Sequence, residues 1–158
     1  MAQRRERPAQ QHGGKAFDFR LSDGRTISVP AKEPEPAAAA PAVATRLVEA
    51  IAAQDEAALA ACFARDAELR ALVPRGLRER SGAADAAALI SGWFADATEI
   101  RLVESQTEEV GDRLHVAYTF DVVEDGHAFV VQQQLYCMLT DGVIERADLL
   151  CTGFRPRD

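Results

Sequence analysis

The fold class that the sequence predicts is α+β: three helices packed on a strongly curved, mostly antiparallel sheet. Three observations predict it. Apolar residues recur at helical spacing in three stretches before residue 95. From Thr98 to the end, the chain alternates in four long segments. These are joined at Gly111-Asp112, Asp125-Gly126 and Asp141-Gly142, pairs that suit two-residue hairpin turns. A sheet of strands that long twists strongly, so helices on one side close over one face and leave a cone with a mouth.

The first forty residues form an extension, and the domain spans residues 41–156. Arg4, Arg5 and Arg7 open the extension as a solvated basic arm. Phe17 to Leu21 and Thr26 to Val29 alternate around Ser22-Asp23-Gly24-Arg25, which predicts a small hairpin over 17–29. A lone hairpin is marginal in water and needs a surface to dock on. Pro30, Pro34, Pro36 and Pro41, with Ala37 to Ala40, then mark a linker.

Val43, Leu47, Val48 and Ile51 predict a first helix ending near Gln54. Asp55 is the N-cap expected for a short second helix, with Leu59, Cys62 and Phe63 as its apolar side. Glu68 to Val73 read as a strand stopped by Pro74-Arg75-Gly76. Ala86, Leu89, Ile90, Trp93 and Phe94 then give the clearest helix, opened by Ser81 or Gly82.

Two-residue turns fix the register of the last strands, and register fixes the faces. One face collects Leu114, Val116, Tyr118, Phe120 and Val122 with Phe129, Val131, Gln133, Leu135 and Cys137, then Arg146, Asp148 and Leu150. That is an apolar wall with a few polar groups, the composition of a ligand pocket. The other face carries His115, Thr119, Gln132, Gln134 and Tyr136. It is too apolar for free solvent and too polar for a core, which suits a subunit interface.

Composition narrows the partners. The formal charge is -7, and the first forty residues hold 7 of the 18 Lys and Arg but only 5 of the 25 Asp and Glu, leaving the rest near -9. Phosphate binding needs a positive stripe, so a nucleic acid partner is disfavoured. The three cysteines, Cys62, Cys137 and Cys151, are odd in number and lack metal-type spacing, as expected of a reducing, cytoplasmic setting. No run approaches the ~20 apolar residues of a spanning helix, so no membrane is expected. His12, His115 and His127 form no metal cluster, and no cofactor is expected.

The order of elements resembles the nuclear transport factor 2-like (cystatin-like) superfamily, and within it the SnoaL-like branch, from roughly Pro41 to Phe154. The likeness rests on the helical pair, the strand before the Trp93 helix, and the closing hairpin from Leu135 to Asp148. There Asp141-Gly142, Ile144, Glu145 and Asp148 match the family's pattern, while Ala147 replaces a frequent aromatic. The fold hosts cyclases, isomerases, epoxide hydrolases, dehydratases and proteins that only bind.

In SnoaL-like cyclases an aspartate on the last strand is the proposed acid/base, so the resemblance gives Asp148 that role. On the apolar wall, opposite Leu135, its carboxylate would lose hydration and its pKa would rise. A salt bridge to Arg146 is the alternative. Tyr118 and Gln133, opposite each other, could hold an enolate or carbonyl oxygen, or could simply satisfy one another in the core. Cys137, beside Arg146 in this register, is either a thiolate or a small apolar filler. Trp93 is a core residue or lines the mouth. Leu135 completes the wall.

Two superfamily activities fit the residues poorly. The epoxide hydrolase triad needs an aspartate two residues from Arg101, where Val103 stands. Ketosteroid isomerisation needs a base on the first strand and a deep acid, where Arg70, Leu72 and Leu135 stand. Two readings remain: a cytoplasmic homodimer binding a small apolar molecule as a cofactor-free cyclase, isomerase or hydrolase, or a non-catalytic binding or association domain. In the superfamily the outer sheet face often forms the dimer. Here it would use His115, Thr119, Gln132, Gln134 and Tyr136.

Overall fold

A computed structural model describes residues 16–20, 23–30 and 42–158, and contacts divide the chain into a unit ending at Ala38 and a second from Ala39 to Asp158. The basic arm and the Pro/Ala linker lie outside the described residues. In the first unit, β1 (Ala16–Arg20) and β2 (Thr26–Pro30) pair antiparallel, with Phe17 opposite Val29 and Phe19 opposite Ile27. The Asp23 carboxylate accepts the Arg25 backbone N–H at 3.0 Å and its Nε at 2.7 Å, which tightens the turn.

In the second unit, α1 (Ala42–Ala52) buries Val43, Leu47, Val48 and Ile51, the predicted stripe. Asp55 caps α2 (Glu56–Ala60), accepting the Ala58 N–H at 2.9 Å. The Gln54 side chain ties the end of α1 to the third helix, donating to the Phe94 carbonyl at 2.7 Å. α3 (Ala83–Gly92) follows Gly82, which serves as N-cap without a side-chain bond.

The sheet is built from β3 (Phe63–Val73), β4 (Gly76–Ser81), β5 (Ala97–Val110), β6 (Arg113–Glu124), β7 (His127–Thr140) and β8 (Val143–Cys151), with a short β9 (Arg155–Pro156). Its order is β4-β3-β8-β7-β6-β5; β3 and β8 run parallel and the other neighbours antiparallel. β9 pairs with β7 at Phe129 and Val130, beyond the end of β8.

β4 is absent from the sequence prediction. It is a mostly exposed edge strand, Gly-Leu-Arg-Glu-Arg-Ser, so no buried face imposes an apolar alternation. The strand before it also starts earlier than expected, at Phe63 rather than Glu68.

The turns at Asp125-Gly126 and Asp141-Gly142 place both residues of each pair at positive φ, as a two-residue hairpin loop requires. The β6–β7 register follows as predicted: Tyr118 faces Gln133 and Leu114 faces Cys137. The β7–β8 register does not. Thr140 faces Val143 and Leu139 faces Ile144, but Met138 faces Arg146, so Glu145 is an extra residue in a β-bulge.

Beyond that bulge every β8 side chain changes face. Ala147, Leu149 and Cys151 turn inward, while Arg146, Asp148 and Leu150 turn outward, opposite to the expected arrangement. β5 has the same feature. A bulge between Leu102 and Glu104 leaves Ile100 and Leu102 facing the inner side and Arg101 opposite Asp121 outside.

Candidate functional site

The inner face of the sheet and the helices enclose a core that is packed at its centre. Leu114, Val116, Phe120, Val122, Val131, Leu135 and Cys137 are buried there with Ile90 and Phe94. A chain of aromatic contacts leads outward from it: Tyr118 to Phe120 at 5.1 Å, Phe120 to Phe94 at 5.9 Å, Phe94 to Phe154 at 5.7 Å, and Phe154 to Phe129 at 5.9 Å. Ring pairs at such distances add to the stabilisation that burial provides. The cup is therefore filled inside, and open volume lies at its mouth.

That mouth holds a cavity of about 850 Å³, walled by Trp93, Phe129, Phe154, Val73 and Pro74, with Cys151 and Gly153 between them. Arg75, Arg78, Asp96 and Glu124 form its charged rim. Each wall comes from an element end: the turn after β3, the residue capping α3, the start of β7 and the chain after β8. An apolar wall with a sparse polar edge at the end of a sheet is the usual form of a small-molecule site.

Behind the wall lies a polar thread. Tyr118 donates to Gln133 Oε1 at 2.8 Å, and Gln133 Nε2 donates to Cys151 Sγ at 3.3 Å. Burial pushes the Tyr118 hydroxyl well above its ordinary range, helped by the nearby Cys151 and Cys137 thiols, so it stays a proton donor. Gly153 N–H also points at Cys151 Sγ, at 3.3 Å. Tyr118 and Gln133 satisfy each other, and Cys151 alone links the thread to the cavity wall.

Asp148 is not in the cup. It faces Tyr136 on the outer side with its side chain 39% exposed, 3.6 Å from Arg70 Nε and 3.5 Å from Arg113 Nη1. The Glu145 bulge is the cause, since it moves every later β8 side chain to the other face. Arg146 lies outside as well, opposite Met138, with its Nε buried and lacking a hydrogen-bond partner. Cys137 consequently faces Ala147 rather than a cation, and burial pushes its thiol up to about 12, against a lowering by Arg113. Leu135 is fully buried against Leu149 and lines no opening.

Of the sequence candidates, then, Trp93 reaches the cavity and Gln133 stands one hydrogen bond behind it. Phe154, Phe129, Val73 and Pro74 complete the site. The signal for Phe154 was weak, since it falls past the last alternating strand.

The outer face carries a transverse row across all six main strands: Glu79, Arg70, Asp148, Tyr136, His115 and Glu108. His115 stacks on Tyr136 at 4.6 Å, and its Nδ1 lies 2.9 Å from Glu108. His115 and Asp148 thus share a face, contrary to the predicted register, but Tyr136 stands between them. Beside this row Leu77, Leu72 and Leu150 lie side by side, 50%, 52% and 46% exposed. A second cavity, of about 860 Å³, is bordered by Leu72, Leu150 and Gln134 of this face and also by Tyr118, Gln133 and Cys151, so two of the residues expected at the site touch it. Among the described residues no helix is long and apolar enough to cross a membrane, and no group of three His, Cys, Asp or Glu could hold a metal ion.

The model of the SnoaL-like domain family matches residues 44–147. No curated protein matches. Among solved structures, a Catenulispora acidiphila protein with a ketosteroid isomerase-like fold, crystallised with trimethylamine, is 15% identical, covering 70% of this chain and 85% of its own at a TM-score of 0.59. An LEH-like epoxide hydrolase of M. tuberculosis is 12% identical over 70% of this chain and 80% of its own, at 0.55. A Xanthomonas campestris protein assigned as a polyketide cyclase is 21% identical over 70% and 90%, at 0.54. Identities this low carry the fold alone.

Proposed function

This chain belongs to the SnoaL-like domain family, and from that premise we propose that it binds a small, largely apolar molecule at the mouth of its cone. One observation carries the reading: the cavity of about 850 Å³ walled by Trp93, Phe129, Phe154, Val73 and Pro74. Its apolar walls supply the driving force, because each square ångström of apolar surface removed from water contributes about 25 cal/mol. Its rim charges, Arg75 and Arg78 against Asp96 and Glu124, would orient a polar end. The placement of Asp148 supports binding over the acid/base chemistry expected of it. Its carboxylate is balanced by Arg70 and Arg113 on the opposite side of the sheet.

The chain's one tryptophan stands in the cavity wall, so its emission reports occupancy directly. Titration with neutral polycyclic and terpenoid compounds is expected to shift Trp93 emission and to raise the melting temperature together, since a ligand bound only by the native state stabilises it. A panel that moves neither would sink the proposal. The second part of the proposal is a homodimer through the outer sheet face, supported by the exposed leucines and by the amides of Gln132 and Gln134.

A further inference from the structure

One wall of the mouth, the chain from Gly153 to Arg157, is held by few backbone bonds. We propose that residues Gly153 to Arg157 form a gate over the cavity, with Phe154 as its plug and the Arg157–Asp121 pair as its latch. This inference rests on the reading that the mouth admits a small molecule. It adds how the molecule enters.

Gly153 sits at φ +74°, a conformation that an L side chain resists, and a Cβ there would come within 2.7 Å of Pro74 Cγ. The chain can therefore turn sharply against Pro74 only with glycine at this place. Phe154 then packs between Phe94 and Phe129, where it narrows the mouth of the cavity it lines.

After Phe154 the attachments are few, and the last of them runs from a half-exposed arginine to Asp121, whose side chain is only 15% exposed. β9 is two residues long, and the Arg157 N–H bonds the Ala128 carbonyl at 2.9 Å. Arg155 donates to Gln132 Oε1 at 2.9 Å, and Arg157 Nη1 lies 2.5 Å from Asp121 Oδ1. Asp121 is also bonded by Arg101. The Arg155 contact is exposed and adds little, while the Arg157 pair is half-exposed on its cationic side only, so salt screens it in part. Segments held so are the ones that open locally while the rest of a fold stays intact.

Cys151 gives a readout that needs no ligand. Its thiol lies beneath the segment, bonded by Gly153 N–H, and is half-buried, whereas Cys62 and Cys137 are fully buried. Because Cys151 already borders the cavity, it is the rise in its labelling rate over the wild type, located by mass spectrometry, that reports opening. In the full chain, Arg157→Gln and Asp121→Asn are expected to raise that rate roughly 2- to 5-fold at low salt, while Cys62 and Cys137 stay slow. Phe154→Ala should raise it further. Added salt should accelerate the wild type and leave the latch variants unchanged.

The same proteins are then mixed with Nile red, a neutral polarity-sensitive dye. Faster labelling with correspondingly faster dye entry supports the gate. Equal labelling of Arg157→Gln and wild type overturns it, and dye binding to the wild type would in that case leave the binding site standing. Faster labelling with no dye bound by any variant overturns the binding site, and the gate as an entry device falls with it.

Discussion

Tyr118 and Gln133 show how a buried polar pair is held in an apolar wall. Each is almost fully buried and each is the other's partner, so neither is free to be lost cheaply. Tyr118→Phe leaves Gln133 Oε1 without its donor, and such orphaning costs about 1–3 kcal/mol. Chemical denaturation is expected to read a loss in that range for the single variant, and a smaller added loss when Gln133→Leu is combined with it. An additive pair would argue against the bond. Asp148 belongs to the other regime. Its partners Arg70 and Arg113 share it at 3.5–3.6 Å on a partly exposed surface, where ion pairs contribute under about 1 kcal/mol. Asp148→Asn should cost less than that and leave the Trp93 response to ligand unchanged. A lost response would return the carboxylate to the binding machinery.

At the scale of the strand, one residue decided what could be read from the sequence. β6 and β7 were legible because both flank turns whose Asp-Gly pair fixes the count, and their alternation then runs uninterrupted. β8 was not, because a bulge adds one residue without a required amino acid type, and Glu145 looks like any solvent-facing strand residue. The inward set Ile144, Ala147 and Leu149 holds the i, i+3, i+5 spacing that such a bulge leaves, but the apolar Leu150 made the regular alternation equally plausible. β4 escaped since charged edge strands lack a period, and Phe154 since it follows the strand whose pattern located the wall.

The bulge makes a deletion experiment informative. Removing Glu145 keeps the pairing on both sides of it and forfeits mainly its bond from Thr140 at 2.7 Å, so a modest fall in melting temperature is expected. Removing Ala147 instead moves Asp148 into the core, and an unpaired buried charge costs roughly 3–5 kcal/mol. Comparable losses from the two deletions would contradict the register.

The end of the chain has its own pH dependence. Arg157, then Arg101, holds the Asp121 carboxyl below the usual carboxylate range. A depressed carboxylate contributes attachment that is complete above its unfolded value of about 3.9 and is lost as pH falls through the lower folded value. The protection factor of the Arg157 amide, its exchange rate taken against the intrinsic rate at each pH, should accordingly be constant near neutral pH and fall as pH drops below about 4. A protection factor flat through that window would show that the ion pair contributes nothing to holding β9.

For the whole molecule, charge sets what kind of assembly is possible. A unit near -9 repels its own copy, so a two-fold contact has to be made by surface that carries little net charge. The outer face offers that. Its first transverse row carries three acids against Arg70, but the neighbouring row, Leu77, Leu72, Leu150, Gln134, Ala117 and Gln106, is uncharged. Apolar cores with amide partners are what stable interfaces use, and three contiguous leucines about half exposed are costly to leave in water. Sedimentation of the full chain is expected to show a monomer–dimer equilibrium that added salt strengthens, because screening reduces the net repulsion and leaves the apolar contact in place. Leu72→Glu combined with Leu150→Glu should give a monomer at every concentration with its melting transition otherwise preserved. A dimer surviving that double change would place the contact elsewhere, and a monomer in the wild type at all concentrations would leave the leucine row to another partner.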